Sequence, residues 1–193
     1  MKKAFNFKNY KKGITLIEVL IVVVIVLIFS GIFISDFPKI RLQLALSRAA
    51  NKFEQDIRKV QDMALSGVQF YDSSGDPINA KGYGIYINLE DSNSKGYTMY
   101  ADLDNDKQFV AAQDFVIENV DFSKTEPGVI IKNIENLMDS SEVCINFTPP
   151  NPEITISDLV EGQTRVQIIF VLESEQTKTK SVFVNTAGLV EIK

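Results

Sequence analysis

The chain contains no histidine, so it lacks the side chain that serves most often as a general base and as a metal ligand near neutral pH. Only carboxylates remain for such chemistry. Cysteine is nearly absent too. The single Cys144 excludes an intrachain disulfide, and its neighbours Val143, Ile145 and Phe147 mark the thiol as buried and inert. No nucleophile and base pair, internal repeat or low-complexity tract is visible in the 193 residues. These absences point away from an enzyme.

Acidic residues are missing from the first thirteen positions, which hold Lys2, Lys3, Lys8, Lys11 and Lys12. Such a basic leader marks the end of a membrane protein that stays in the cytoplasm. The whole chain has 20 basic and 25 acidic groups; without the leader 15 face 25, a net of −10. An acidic domain repels phosphates, so nucleic acid is an unfavoured partner. With 45% hydrophobic and 23% charged residues, the composition is that of a folded protein. The length suits one domain and an appendage.

The apolar residues are gathered at one end. From Val19 to Ile34 only Ser30 and Gly31 interrupt an aliphatic and aromatic run, close to the length a bilayer requires. The segment from Ile14 to Ile34 should be helical despite its β-branched residues, because a backbone in hydrocarbon must satisfy its own hydrogen bonds. Asp36-Phe37-Pro38 predicts a kink or short unwound stretch. Beyond it, Leu42, Leu46, Ala49, Phe53, Ile57, Val60 and Ala64 recur every three or four residues and draw an apolar stripe along a second helical segment, Lys39 to Ser66. Arg48, Lys52, Glu54, Asp56, Arg58, Lys59 and Asp62 fall on its other faces. Gly67 is placed to end it in the left-handed conformation.

The remainder reads as strands between turns: Tyr83 to Leu89, Tyr97 to Asp102, Phe109 to Ile117, Val129 to Ile134, Val143 to Phe147, Arg165 to Leu172, Ser181 to Asn185 and Leu189 to Ile192. The last two form a hairpin around Thr186-Ala187-Gly188. An α+β fold follows, with a long N-terminal helix, apolar in its first half and amphipathic in its second, packed on antiparallel sheet. The expected organisation is a leader at 1–13, a transmembrane or filament-core helix at 14–38, and a soluble α+β domain at 39–193. Surface loops at 68–80 and 146–158 are where specialised contacts would lie.

One charge does not fit this pattern. Glu18 stands at the edge of the apolar segment, where a carboxylate costs up to about 2–3.5 kcal/mol near a bilayer centre and less toward the interface. A cut after Gly13 would offset that cost, since it frees the Ile14 amine four residues before Glu18, within reach of its own chain or the next. Gly13-Ile14-Thr15-Leu16-Ile17-Glu18 ahead of an aliphatic helix resembles the class III signal peptide of type IV pilins and type II secretion pseudopilins. The resemblance implies that prepilin peptidase cuts between Gly13 and Ile14 and methylates the new amine, and that Glu18 aligns subunits during assembly. It also implies other pilin subunits, an inner-membrane assembly platform and the membrane itself as partners. The chain would be a single-pass cytoplasmic-membrane protein before assembly, then part of an extracellular or periplasmic filament. The usual first mature residue is Phe, here Ile14, and Pro38 lies three residues later than the proline common in such helices. Downstream, Leu46-Ser47-Arg48-Ala49-Ala50, Gly82-Tyr83-Gly84-Ile85-Tyr86 and Tyr97-Thr98-Met99-Tyr100-Ala101-Asp102 resemble minor pilins and pseudopilins of the GspH/FimT type. Alternatives are a main fibre subunit, a secretion pseudopilin and a DNA-uptake pilin.

Asp102, Asp104 and Asp106 alternate as the opening of a calcium loop does, and some pilin-like proteins bind calcium in a loop. Lys107, however, stands where such loops use glycine, and the twelfth position is Gln113 with Asp114 beside it. A solvated turn between two strands is therefore the preferred reading, with no cofactor expected and calcium the alternative. Tyr83, Tyr86, Tyr97 and Tyr100 lie on predicted strands, where cross-strand packing is favoured over a stacking surface for ligands.

Overall fold

The computed structural model describes residues 13–71, 74–90, 94–139, 141–149 and 153–193. The leader as far as Lys12 lies outside them. Helix α1 spans Leu16–Ser66, and the chain divides into two units, Met1–Ile40 and Arg41–Lys193. Within the first unit, every large apolar side chain from Ile14 to Ile34 is exposed, from 46% at Val24 to 85% at Leu16. The helix runs on through Pro38, so the unwound stretch expected at Asp36-Phe37-Pro38 is absent. A proline removes one ladder donor at a cost of about 3 kcal/mol, which the intact turns on either side absorb.

In the second unit the predicted stripe is the buried one. Ala45, Leu46, Ala49, Ala50, Phe53, Ile57, Val60 and Ala64 are all nearly inaccessible, and Leu42 packs beside them. The helix ends as the glycine predicted: Gly67 has φ +60 and the Val68 amide donates to the Met63 carbonyl at 3.3 Å, satisfying a carbonyl that would otherwise be orphaned.

A short ribbon follows, β1 (Phe70–Tyr71) with β2 (Pro77–Ile78). Then come β3 (Gly82–Asn88), β4 (Gly96–Asp102), β5 (Phe115–Asp121), the single turn α2 (Phe122–Thr125), and β6 (Val129–Glu135). The chain closes with β7 (Glu142–Thr148), β8 (Glu153–Ile156), β9 (Arg165–Leu172), β10 (Glu175–Asn185) and β11 (Val190–Ile192). The strands form not one sheet but two larger ones: five strands ordered β5-β4-β3-β7-β8 and four ordered β11-β10-β9-β6. All pairings among the described residues are antiparallel.

Phe53 shows why one helical stripe serves both sheets. Its ring meets Tyr97 of β4 at 4.9 Å and Phe170 of β9 at 5.5 Å. Phe122 of α2 touches the same two residues at 5.8 and 5.9 Å. Period-two alternation sends Tyr83, Ile85, Ile87, Val143, Ile145 and Phe147 to this core in one sheet and Val166, Ile168, Phe170, Val182 and Val184 in the other.

The opposite face of the five-stranded sheet is also covered, which the sequence did not announce. Residues 109–114, expected to begin a strand, are a connection that folds back over the sheet, and β5 starts only at Phe115. Phe109 packs on Tyr86 at 4.9 Å and Tyr100 at 5.1 Å. Its aromatic character imitates a strand residue, while its role is that of a cover. The segment 153–156, read as loop, pairs with β7 instead; Pro149, Pro150 and Pro152 obscured the short alternation after them. The C-terminal hairpin matches expectation, with Asn185 Oδ1 accepting from the Ala187 and Leu189 amides and Gly188 at φ +86.

Gly84 lies beneath the Tyr100 ring, and a Cβ there would stand 2.6 Å from two ring carbons. Gly84→Ala is expected to destabilise a fragment starting at Lys39 by about 1–3 kcal/mol through overpacking, and Phe53→Ala by about 3–5 kcal/mol through the void it leaves. Urea denaturation measures both. An unchanged midpoint for Gly84→Ala would mean that Tyr100 is free to move aside.

Candidate functional site

The N-terminal junction is built from local backbone chemistry. Gly13, Ile14 and Thr15 precede the helix; among the described residues beyond its chain neighbours, no heavy atom lies within 4 Å of where a Gly13 side chain would be, and Ile14 is 76% exposed. The Glu18 amide donates to the Thr15 carbonyl at 3.1 Å and to its hydroxyl oxygen at 3.3 Å, and the Val19 amide reaches the same carbonyl at 3.3 Å. These bonds start the helix at Leu16. Glu18 thus belongs to the first turn, where the unpaired amides carry partial positive charge and favour a carboxylate. Part of the cost of that acid is offset within its own chain. The structure therefore places Gly13 and Ile14 just ahead of the helix and Glu18 in its first turn, at the start of the apolar surface.

That surface defines the class of segment. By length and composition α1 is able to cross a membrane, and none of its most apolar window is buried by the protein. The prokaryotic N-terminal methylation motif matches residues 8–34, a span that takes in the end of the leader, the Gly13–Ile14 junction, Glu18 and the apolar run. The chain thus carries a class III signal followed by a long apolar helix, the arrangement found in type IV pilin-like precursors. The match ends within the first unit, and neither a curated protein nor a solved structure matches the chain.

The acidic loop lies in the second unit, between β4 and β5. Asp102, Asp104 and Asp106 can bring one carboxylate oxygen each within 4.8 Å of the others. Asp102, fully buried, already uses both oxygens. One accepts from the Asn105 amide at 2.6 Å; the other accepts from the Lys107 amide at 3.1 Å and from the Asn146 side-chain amide at 3.2 Å. Asp104 accepts from the Asp106 amide and Asp106 from the Gln108 amide. Asp114 closes the loop by accepting from Leu103 and Val110. Each of these carboxylates uses at least one oxygen to turn the loop's own backbone. Lys107 takes φ 64 and Asn105 φ 71, so the chain adopts the left-handed geometry at position 107 without the glycine that makes it easy.

Sequence reasoning missed one functional-looking group altogether. Asp56, assigned to an exposed face of the helix, is 4% exposed. It accepts from the Tyr97 hydroxyl at 2.6 Å and from Lys52 at 2.7 Å. The signal was present: Asp56 falls three residues after Phe53 and one before Ile57, on the edge of the apolar stripe. The arrangement gives a buried carboxylate both a hydroxyl and an ammonium partner, as burial of charge requires. Burial, then the bond to Asp56, raises the Tyr97 hydroxyl far above the ordinary tyrosine range, so it stays a donor. The four tyrosines act in packing, with Tyr83, Tyr97 and Tyr100 buried and Tyr86 under Phe109.

Burial raises the Asp102 and Asp114 carboxyls above their usual value of 3.8, against the opposing pull of the backbone amides they accept from. A carboxyl raised by folding contributes stability that is fully present below the unfolded value and lost as pH climbs through the folded one. The melting-temperature advantage of wild type over Asp102→Asn should therefore shrink as pH rises from about 3.5 upward in chelator-containing buffer, then level off. An advantage that grows over that range would show that the ionised form is the one the fold favours.

Proposed function

We propose that this chain is a structural subunit of a type IV pilus-like filament and not an enzyme. The observation that carries the reading is the coincidence of the methylation motif at residues 8–34 with a helix start that leaves Gly13 and Ile14 exposed and an apolar surface unburied from Leu16 to Ile34. Before assembly that surface has lipid to cover it. Prepilin peptidase then adds water across the Gly13–Ile14 bond, leaving a carboxylate on Gly13 and an amine on Ile14, which is methylated. In a growing filament the apolar helices of neighbouring subunits replace lipid. Glu18 meets the Ile14 amine of an adjacent copy, and that charge pair sets the axial register of one helix on the next. The assembly platform in the inner membrane supplies the movement.

A secretion pseudopilus is the second reading within the same class, and it shares every step up to the destination of the polymer. Filaments sheared from the cell surface favour the pilus; loss of protein export on deletion, without surface filaments, favours the pseudopilus. A DNA-uptake role is opposed by the net charge of −10 left after the leader is removed.

Mass spectrometry of the mature chain is expected to give a sequence starting at Ile14 with one methyl group on its amine. Glu18→Ala should still be cut there, yet be largely lost from the sheared filament fraction. An intact Met1 start in cells with active prepilin peptidase would sink the proposal.

For the loop at Asp102, Asp104 and Asp106 we propose the turn role and no resident cation. The melting temperature of the Lys39 fragment should be the same in millimolar calcium as in chelator. A rise of several degrees that Asp104→Asn abolishes would assign calcium instead.

A further inference from the structure

Helix α1 starts at the third residue after the bond that processing breaks. Thr15 makes that start, since its side-chain and main-chain oxygens both accept from the Glu18 amide, at 3.3 and 3.1 Å. This is the bonding of a helix N-cap, in which a short polar side chain satisfies the third helical amide. Helix α1 accordingly begins at Leu16, and Gly13 and Ile14 remain outside it. Little else in the sequence would stop the helix there. Ile14 is aliphatic and continues the apolar run, and Gly13 is itself an acceptable cap.

We propose that Thr15 is a positioning residue for the processing step: by capping the helix it keeps the Gly13–Ile14 peptide in open backbone. This rests on the cleavage reading above and adds the determinant that presents the bond. The physical reason is in the helix ladder, where the amide of residue i bonds the carbonyl of residue i−4. Without a side-chain oxygen at position 15, the apolar surroundings favour moving the cap upstream to Gly13 over leaving the first turn frayed, because unsatisfied backbone groups are costly in lipid. The Ile17 amide would then bond the Gly13 carbonyl. That carbonyl is the one water must attack, and a peptide presented as an extended strand leaves it free for main-chain contacts with an enzyme.

Thr15→Val tests the cap with little change of shape, because valine is also β-branched and has no acceptor. Thr15→Ser and Thr15→Asn change shape but cap as well or better. The full-length chain and these three variants are incubated in detergent with a prepilin peptidase, and release of the leader is followed by mass. Expected is a fall in kcat/KM of roughly 2- to 30-fold for Thr15→Val, the range a lost cap translates into, and values within about 2-fold of wild type for the serine and asparagine variants. Amide exchange should show Ile17 more protected in Thr15→Val than in wild type, a change that direct reading of the side chain by the enzyme would not cause. Wild-type chain cut normally and Thr15→Val cut at the same rate would overturn the capping role while leaving the processing reading intact. Thr15→Asn slower than Thr15→Val would overturn it too, since the enzyme would then be reading shape. If wild type itself is not cut, the processing reading fails and the role of Thr15 goes with it.

Discussion

The second unit is organised by the contact of Phe53 with rings from two sheets. Neither sheet closes on the other directly at this point; a helical stripe whose small residues, Ala45, Ala49, Ala50 and Ala64, permit close approach is set between them, and its one large aromatic fills the space where the layers meet. Phe122 repeats the contact from the short turn α2. Because Tyr97 is shared by Phe53, Phe122 and the buried Asp56, the apolar packing and a buried carboxylate are fixed by the same side chain. A helix can slide along a smooth apolar surface with modest loss; it cannot do so when a carboxylate must keep a hydroxyl within hydrogen-bond reach.

The same helix obeys a different constraint in the first unit. There the large apolar side chains from Ile14 to Ile34 are exposed, a surface suited to an apolar medium. Two polar features mark its start: a cap that fixes where the ladder begins and an acid held in the first turn. A polymer of otherwise interchangeable apolar surfaces needs some such polar mark to define its register, in the way a single buried polar group does in a coiled coil.

Much of this was legible in the sequence, for reasons that differ by element. The stripe from Leu42 to Ala64 was readable because the burial period of a helix is written directly in its residues, and Gly67 because a left-handed residue after a stripe has few other uses. Alternation gave the strands of both sheets apart from β8, yet not their division into two, since period two says which residues share a face and nothing about which strands share a ladder. Phe109 was misread because an aromatic that covers a sheet looks like one inside it. Asp56 was misassigned because its charge was given more weight than its place beside Ile57. At the processing site, Gly13, Ile14 and Glu18 were legible as a motif, whereas the part played by Thr15 needed coordinates, because threonine in a β-branched run reads as filler until its hydrogen bond is seen.

The cover over the outer face of the five-stranded sheet has a practical side. Cys144 is 3% exposed, and burial, partly opposed by hydrogen bonds from the Phe109 backbone and the Tyr100 hydroxyl, pushes its thiol up to about 12. At neutral pH almost none of it is thiolate, the form that reacts with alkylating dyes. The native protein is thus silent toward maleimide chemistry without any cysteine having been removed. A cysteine placed at an exposed position, at Ser74 or Gln163 for example, becomes a single fluorescent address on each molecule, by which the place of the protein can be followed in living cells.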